Sequence, residues 1–454
     1  MGKKITILYP ADTLLNESIL FPKVFPFLDQ YSDEFEIEII GRIPQEQFKN
    51  QYKIKTKYID FFKEMEKTPH FDKKLTDQEI AEQEEFLGVS FNFIILSNQR
   101  RWGWSRNPEE LTQKLAKYVK NFRKLLEGRN IVISFLENLF FINCAEKVAQ
   151  KLGIKLMKIG RSEIIKNGMI FWNSENDPIF YKKNLDLEAY EILKKRAKSA
   201  RQTVKIDKSA MNNINRIVEK IPQIPEKINQ IKNDRRSRMD IDVPPLEQKY
   251  KRLGTSSLRY LIYPTLHKLF FEHSKEGEKF FLLPLHYEWE AQIALREPFL
   301  NQLDLAKKIA QVLPQGTKLY VKVHPHWKNA DQDLGPVREL KKIPGIKIIH
   351  PNENTMDLIE KSVGVIVINS TVGYEALTLN KTLIVVGHEI YRNAGIEVRD
   401  LNKMPEVLVK VKSGELKRNE QEIEEFLKIY TSHVIFREGN EQFTEEFRKV
   451  INSL

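Results

Sequence analysis

The sequence places a histidine directly after an alternating run of residues that is typical of a buried strand. The run Leu319–Val323 leads into His324 and Pro325, so the imidazole is expected at the carboxyl end of a strand. An imidazole in that position can donate to a phosphate oxygen or protonate a leaving phosphate. The alternative is a loop histidine that happens to precede a proline. Lys322 alternates with His324 along the same strand.

A second strand-like run ends in hydroxyl-bearing residues. Val363–Ile368 is followed by Asn369, Ser370 and Thr371, and a helix-like segment begins at once. Two hydroxyls at a helix N-terminus, beside free backbone amides and the positive end of the helix dipole, form an anion site. An ordinary helix cap would need only one of them.

Four further residues are candidates for the same ligand. Gly373 permits the close approach of backbone or ligand. Glu375, one turn into the helix-like segment, can reach a ribose hydroxyl or can complement the helix dipole, and both interpretations stay open. Gly387 and Tyr391 follow the run Leu383–Val386, where they can close around a base or sugar or form a turn.

A histidine and two carboxylates follow another strand-like run, Lys279–Leu285. His286, Glu288 and Glu290 occupy every second position, so an extended chain would aim all three in one direction. One histidine and two carboxylates within five residues lack the spacing of helical or finger metal motifs. The favoured interpretation is a strand-end loop that faces the cleft, and no metal site is predicted.

Glycine-rich phosphate loops are absent from the sequence. Neither GxGxxG nor GxxxxGK[ST] occurs, which disfavours the usual NAD-dependent dehydrogenases and P-loop NTPases, and a GxSxG elbow is also missing. Phosphate would therefore be held by the histidine and the hydroxyl-capped helix, as in nucleotide-sugar enzymes built from two Rossmann-type domains.

The elements that must position these residues begin with a strand–helix alternation in the first part of the chain. Five runs predict strands there: Ile5–Tyr9, Phe35–Ile40, Phe91–Leu96, Ile131–Phe135 and Ile154–Met157. An amphipathic helix that Gly153 closes separates the last two runs, so this unit predicts a parallel sheet with a right-handed crossover. The polar stretch 52–84 predicts an insertion with one or two surface helices.

The same rhythm returns more regularly near the C-terminus. The runs described above and Ile346–Ile349 predict strands, with helices near 301–313, 356–361 and 372–379. We therefore predict two doubly wound domains, over 1–190 and 273–454, that face each other across a cleft. A connector over 191–272 joins them. In open α/β sheets the ligand lies beyond the carboxyl ends of the strands, where the candidate residues stand.

Charge is concentrated in the connector. The 454 residues carry a net charge of +11, with 41% hydrophobic and 30% charged residues, which excludes an intrinsically disordered chain. Residues 191–260 hold 18 Lys and Arg against 8 Asp and Glu, so almost the whole excess lies there. This basic, helical connector predicts contact with an anionic membrane or an acidic, lipid-linked glycan. A solvated linker is the alternative. Nucleic acid binding is disfavoured because no RNP-like, zinc or helix-turn-helix motif accompanies the charge.

Cysteine content and the N-terminal residues bear on the compartment. Cys144 is the only cysteine, so it forms no internal disulfide and fits a reducing compartment. The first residues lead directly into a strand-like run with no apolar signal core, and no run approaches the ~20 apolar residues of a membrane span. We therefore expect a cytoplasmic protein.

Three segments carry a family resemblance. LLPLHYEWEAQ, LPQGTKLYVKVHPHW and NSTVGYEALTLNKTLIVVGHEIYRNAGI together resemble the bacterial capsule polysaccharide biosynthesis family, which includes β-Kdo transferases. The resemblance covers about Phe280 to Ile396, with a fainter echo in Asn130 to Asn173. Either VKVHP or NSTVGYEAL alone is a weak signal, whereas the two together at this spacing are fairly specific. These are GT-B glycosyltransferases with CMP-linked donors, so the resemblance implies a GT-B-like α/β fold.

The resemblance also implies roles for individual residues. His324 would contact the donor phosphate, Ser370 and Thr371 would bind the same phosphate, and Glu375 would lie near the nucleotide. The family often has glutamine where this chain has His286, and IYRNAGI lacks the tryptophan that some members show. These departures concern the identity of the sugar and the base.

A general base is expected from the N-terminal half, because sugar transfer requires deprotonation of the acceptor hydroxyl. Glu137, just after Ile131–Phe135, is the first choice, and Asp12, after the first strand, is the second. For each of them a loop or helix-cap carboxylate is the alternative.

The sequence therefore predicts a GT-B glycosyltransferase that moves a sugar, with Kdo as the leading candidate, from a nucleotide donor to a capsule or other surface-glycan acceptor. No cofactor is expected besides the nucleotide-sugar substrate. One alternative is a non-hydrolysing nucleotide-sugar epimerase on the same architecture. The other is a catalytically silent subunit that uses the basic connector to scaffold an assembly complex.

Overall fold

The computed structural model describes residues 3–10, 28–102, 107–135, 139–162, 168–175, 177–179, 190–191, 239–242, 271–286, 297, 300–324, 335–417, 420–436 and 440–454. Several residues that the sequence singles out lie outside these ranges. They are Asp12, Glu137, Glu288, Glu290 and most of the connector 191–272.

The strands of the described residues alternate with helices along most of the chain. Numbered in chain order, the strands are β1 Lys4–Tyr9, β2 Glu36–Gly41, β3 Lys57–Asp60, β4 Ile131–Phe135, β5 Lys155–Arg161, β6 Gly168–Trp172, β7 Phe280–Pro284, β8 Lys318–Lys322, β9 Ile346–Ile349, β10 Gly364–Val367, β11 Leu383–Val385, β12 Ile396–Glu397 and β13 Ile435–Phe436.

The helices are numbered in the same way. They are α1 Gln45–Gln51, α2 Phe61–Glu66, α3 Asp77–Leu87, α4 Phe91–Trp102, α5 Pro108–Leu126, α6 Phe140–Lys151, α7 Gln302–Gln311, α8 Gly335–Lys341, α9 Thr355–Lys361, α10 Val372–Thr378, α11 Met404–Ser413, α12 Glu420–Ser432 and α13 Asn440–Ser453. None of the described helices combines the length and apolar character that crossing a bilayer requires.

Two sheets organise these elements. Among the described residues the first sheet has the strand order β13-β6-β5-β4-β1-β2-β3, and the second has the order β12-β11-β10-β7-β8-β9. Each sheet begins in its middle and winds outward to one side and then to the other, as Rossmann-type sheets do. The second sheet is parallel throughout, whereas β6 and β13 are antiparallel additions to the first. The predicted α/β class with two Rossmann-type sheets is confirmed.

Helices cover both faces of each sheet, because strand side chains alternate between two apolar faces. In the second sheet one face packs against α9, α10 and α12 and the other against α7, α8 and α11. The two faces draw on alternate residues of the same strand, such as Leu282 and Leu283 of β7. Cys144 lies in the core of the first half as a buried free thiol.

The chain returns to the first sheet at its C-terminal end. β13 pairs with β6, and α13 buries Phe447, Val450 and Ile451 against the first sheet. The domain range 273–454 stays a prediction, with the addition that its last residues pack on the other sheet.

Two predictions for the first half are wrong. Phe91–Leu96 was expected as a strand but belongs to α4, because Phe91, Ile94 and Ile95 face the core with helical spacing. The stretch 52–84 was expected as a surface insertion, yet it contains β3, which extends the sheet beside β2. The short helix α2 then buries Phe61 and Phe62, so α3 is the element that fits the expected surface helix.

The described piece of the connector over 239–242 is buried in the first half. Arg42, just after β2, donates through Nη2 to both oxygens of Asp240 at 2.7 Å. Asp242 accepts from the backbone amides of Phe140 and Phe141 at 2.6 and 2.9 Å, which caps the start of α6. Burial alone would lower the pKa of Arg42, but the two aspartates raise it above its usual range. This acidic segment within a basic connector is therefore part of the fold.

We expect Arg42→Met to lower the free energy of unfolding by about 3 to 5 kcal/mol, because it leaves two aspartates buried without their cation. Urea unfolding followed by circular dichroism measures the change. The matched control is Lys74→Met, which removes an exposed partner of Glu109 and should leave the free energy of unfolding almost unchanged. An equal, small effect of both substitutions would contradict a structural role for the buried ion pair.

Candidate active site

The second sheet reverses its winding direction between β7 and β10, which are neighbours in the sheet but distant in the chain. Ligands of open α/β sheets bind at such a switch point, beyond the carboxyl ends of the strands. His286 lies two residues after β7, and Asn369 lies two residues after β10. The switch point therefore brings together two segments that the sequence singled out separately.

The strand register aligns these segments into one row. Pro284 pairs with Lys322 in β8, and Gly364 pairs with Phe281. Two residues beyond the first pair, His286 stands beside His324. Five residues beyond the second pair, Asn369 stands beside His286. Gly387 continues the row, since its amide donates to the carbonyl of Ile368 at 3.0 Å. We call Gly387, Asn369, His286 and His324 the edge row. Adjacent strands lie about 4.8 Å apart, so the row's side chains fall within reach of a single ligand.

Strand alternation directs the polar members of the edge row to one face. Tyr320, Leu282 and Val367 pack on the face that α9 and α10 cover. In an extended chain, residues an even number of positions further on share that face. His324, His286 and Asn369 meet this condition, which puts them on the side of the sheet where α10 begins.

His286 is held by its backbone. Its amide donates to Oε1 of Gln302 at 2.9 Å, and its carbonyl accepts from Nε2 of the same side chain at 3.1 Å. Both residues are buried. Because Gln302 is the first residue of α7, this double hydrogen bond fixes the chain after β7 to the start of a helix.

Lys322 places a buried cation beside the edge row. Only 4% of the residue is exposed, and Nζ donates to the carbonyl of Pro351 at 3.2 Å. Pro351 follows β9, so the side chain reaches across from the end of β8 to the neighbouring loop. A buried cation beside the edge row can stabilise an anion at this edge.

The end of β10 has separate hydroxyls for capping and for a ligand. Ser370 Oγ accepts from the amide of Val372 at 3.3 Å, which satisfies one of the free donors of α10. Thr371, the N-cap residue, makes no side-chain capping bond and is exposed. The two hydroxyls do not compete for one cap, so that of Thr371 can meet a ligand. Glu375 lies one turn into α10 and is half-buried.

Tyr391 positions Ser370 from behind. The ring is fully buried, and its hydroxyl donates to the Ser370 carbonyl at 2.8 Å. A Cβ on Gly373 would lie 2.5 Å from Cζ of this ring, so only glycine allows the ring to pack there. Glycine is required at position 387 for a similar reason, since a Cβ there would lie 2.5 Å from the Ile368 carbonyl oxygen. In the structure these two glycines permit close packing of the scaffold around the switch point.

A charged network borders the edge row after β11. Arg399 Nη2 lies 3.2 Å from Nδ1 of His388, and Arg392 Nη1 lies 3.2 Å from Nε2. Glu397 lies 2.8 Å from Nε of Arg399, and Asp177, which follows β6 of the first sheet, lies 3.6 Å from His388 Nε2. The guanidinium charges are thus largely offset, and the network links the segment after β6 to the second sheet.

The equivalent position of the first sheet is already filled by the chain itself. That sheet reverses its winding between β1 and β4, and α6, which follows β4, begins with the two amides bonded to Asp242. Arg42 Nη1 also donates to the carbonyl of Pro10, just after β1, at 2.8 Å. A carboxylate of the protein thus takes the place that an anionic ligand would occupy there. This contrast favours the second sheet as the donor side.

The model of the family described as "Capsule polysaccharide biosynthesis protein" matches residues 174–410, which is more than half of the chain. The chain belongs to this capsule family. The match contains all of β7 to β12 and the edge row, and it confirms the family predicted from the sequence motifs. Membership also supports the expected enzyme class, a glycosyltransferase. No curated protein matches the sequence.

Solved structures give weak similarities. A β-Kdo 2,4 transferase, KpsC of Thermosulfurimonas dismutans, is 14% identical, with 68% of this chain and 80% of that chain covered and a TM-score of 0.33. The Methanocaldococcus jannaschii UDP-GlcNAc 2-epimerase in complex with UDP-GlcNAc and UDP is 14% identical, with coverages of 99% and 100% and a TM-score of 0.31. Similarities of this size do not distinguish a transferase from an epimerase.

For this capsule-family chain, the structure brings His286, His324, Asn369 and Gly387 into one row, with Lys322, Ser370 and Thr371 beside it. The general-base candidates Glu137 and Asp12 lie outside the described residues. Within the described part of the chain, no group of three or more His, Cys, Asp or Glu side chains is placed to hold a metal ion.

Sequence reasoning missed several residues that build this site. Gln302 carries no sequence signal, because an amide at the start of a helix is common. Arg392 and Arg399 follow a strand end, and that position could have marked them. The pairing of Arg42 with Asp240 joins positions 198 residues apart, which no local pattern records.

Proposed function

We propose that this chain is a glycosyltransferase that moves a sugar from a nucleotide donor to a capsule or other surface-glycan acceptor. The donor is CMP-linked, and the sugar is Kdo. The observation that carries the proposal is the edge row at the switch point of the second sheet, where histidines and an asparagine follow neighbouring strands beside the start of a helix. The capsule-family match over the same residues supports it.

The donor phosphate is proposed to bind between Lys322, His324 and the start of α10. Bond cleavage leaves negative charge on the nucleotide phosphate, and fixed donors aimed at that charge stabilise the transition state. Lys322 supplies a buried positive charge, and the hydroxyls of Ser370 and Thr371 supply donors. His324 donates a proton or a hydrogen bond to the leaving phosphate. Asn369, His286, Glu375 and the segment with Gly387 and Tyr391 surround the rest of the nucleotide sugar.

The acceptor is proposed to approach from the first sheet, whose own switch point is closed by Asp242. Glu137, just after β4, is the proposed general base. The basic connector 191–272 is proposed to hold the anionic or lipid-linked acceptor by charge. We therefore expect acceptor binding to weaken steeply between low and high salt while donor binding changes little. Equal salt dependence of the two would contradict this division.

His324→Ala is expected to reduce turnover by about 10²- to 10⁴-fold, because the leaving phosphate loses its proton or hydrogen-bond donor. The measurement is release of CMP from CMP-Kdo in the presence of a capsule-type acceptor, with circular dichroism to verify folding. Retained turnover would remove His324 from the mechanism.

The same assay tests the reaction type. Isomerised sugar nucleotide formed without an acceptor would favour an epimerase. If the folded protein neither binds nor cleaves any nucleotide sugar, the transferase proposal fails. Donor binding without turnover, together with tight association with a partner protein, would favour a scaffold subunit.

Lys322→Met is expected to weaken donor binding about tenfold or more, since it removes a buried charged donor. Lys347→Met is the matched control on the neighbouring strand β9. Lys347 is also buried, but its Nζ contacts Glu278, before β7, at the opposite edge of the sheet. Isothermal titration with CMP and CMP-Kdo measures both variants. Equal losses of affinity would show that the effect comes from the scaffold and that Lys322 does not hold the phosphate.

A further inference from the structure

A pocket of about 350 Å³ opens in the first half of the chain, away from the edge row. It lies between α5 and the segment that follows α2, and its volume is within the range of small-molecule sites, about 300 to 1,000 Å³. Its lining contains cations and polar groups and no carboxylate: Lys67, Thr68, Pro69, His70, Lys117, Lys120, Asn121 and Lys124. Such a lining favours an anion.

The positive charge follows from the spacing of one helix face. Lys117, Lys120, Asn121 and Lys124 stand at positions i, i+3, i+4 and i+7 of α5, so they form one stripe. The opposite side of α5 buries residues such as Leu115 and Phe122 in the core. Core packing therefore fixes the helix and aims the stripe at the segment after α2.

Half of these lysines have acidic partners and half have none. Lys67 lies 2.5 Å from Glu64, and Lys120 lies 2.9 Å from Glu79. Hydrogen bonds from the Thr76 amide and from Lys120 lower the pKa of Glu79 to about 2. Lys117 and Lys124 form no ion pair with any carboxylate of the described residues, although the charge of Asp72 acts on Lys117 from a greater distance.

Lys117 is the more informative of these two charges. It is half-buried, and its Nζ donates to the carbonyl of Phe71 at 2.9 Å. Burial lowers the pKa of Lys117. The charge of Asp72 opposes this effect, and the charge of Lys114 adds to it. A partly desolvated cation without an ion pair is an arrangement that a bound anion would stabilise.

Asn121 adds a hydrogen-bond acceptor to a lining dominated by donors. The residue is 2% exposed, and Nδ2 donates to the carbonyl of Phe61 at 3.2 Å. This hydrogen bond fixes the amide orientation and leaves Oδ1 as a buried atom that a ligand reaches only when the Asn121 side chain shifts. Oδ1 has no hydrogen-bond partner. It would repel an oxyanion but would accept from a hydroxyl, so the suitable ligand carries both groups.

We propose that this pocket binds an acidic sugar, a saccharide that carries a carboxylate or a phosphate, at a site separate from the edge row. The lysines hold the anionic group, and Asn121 accepts from a sugar hydroxyl. The inference rests on the pocket alone and does not depend on the donor chemistry proposed above. The ligand can be a free sugar phosphate or an acidic unit of a glycan chain, since both present the same groups.

Isothermal titration of the full chain tests the proposal with tri-galacturonate, glucose 6-phosphate, inorganic phosphate and neutral maltotriose. The variants are Lys117→Gln, which keeps a donor for the Phe71 carbonyl, and Lys124→Gln, which removes a cation that has no ion-pair partner. Lys74→Gln is the matched control, because Lys74 is exposed, pairs with Glu109 and lies outside the pocket lining.

We expect at least one acidic saccharide to bind and maltotriose not to bind. Each pocket variant should weaken the acidic saccharide about threefold or more, and Lys74→Gln should not. Binding of tri-galacturonate alone would identify a glycan unit, and binding of glucose 6-phosphate alone would identify a free sugar phosphate. The proposal is overturned if no acidic saccharide binds or if the three lysine variants behave alike. Inorganic phosphate that binds as tightly as glucose 6-phosphate would also overturn it, because the hydroxyl contact would then contribute nothing.

Discussion

The buried ion pair between Arg42 and Asp240, with Asp242 beside it, is the constraint that gives the two sheets different tasks. The Arg42 side chain is 6% exposed and that of Asp242 is fully buried, so each ion has lost most of its hydration. Such a cluster is tolerable only when hydrogen bonds replace the lost water. Here the Asp240 carboxylate, the Pro10 carbonyl and two amides of α6 provide them. Tyr118 completes the enclosure through the backbone of Met239 and Ile241.

The consequence is an asymmetry between two sheets that wind in the same order. Either switch point could in principle receive an anion, because each has a helix starting beside parallel strand ends. In the first sheet the protein's own Asp242 already accepts from the first two amides of α6. In the second sheet the start of α10 keeps the exposed hydroxyl of Thr371, with a buried lysine nearby. A nucleotide phosphate therefore has a better-prepared position on the second sheet.

How far the sequence predicts this structure depends on the range of the interaction. Apolar runs rich in Val and Ile predicted nine of the thirteen described strands, and the rule that ligands lie at strand ends picked out His286, His324 and Ser370. The prediction for Phe91–Leu96 is wrong because a six-residue run with five apolar residues fits a buried strand as well as a helix, and only the core contacts of Phe91, Ile94 and Ile95 distinguish the two. β3 was not predicted, because a four-residue edge strand within a polar stretch shows little alternation of apolar and polar residues. Contacts such as Gln302 with His286 depend on tertiary geometry and have no local signal.

Local placement of charge matters more here than the net charge of +11. Beside the edge row Arg399 pairs with Glu297 and Glu397, and the cation proposed to hold the phosphate is the buried Lys322. One buried charge can suffice there, because electrostatic interactions strengthen when water is excluded. The lysine stripe of α5 lies at an open pocket, where each charge is screened and several are needed to hold one anion. The two proposed sites would thus hold anions in opposite ways, the first with a few buried donors for the reacting phosphate and the second with several cations around an open pocket for a saccharide that only has to be held.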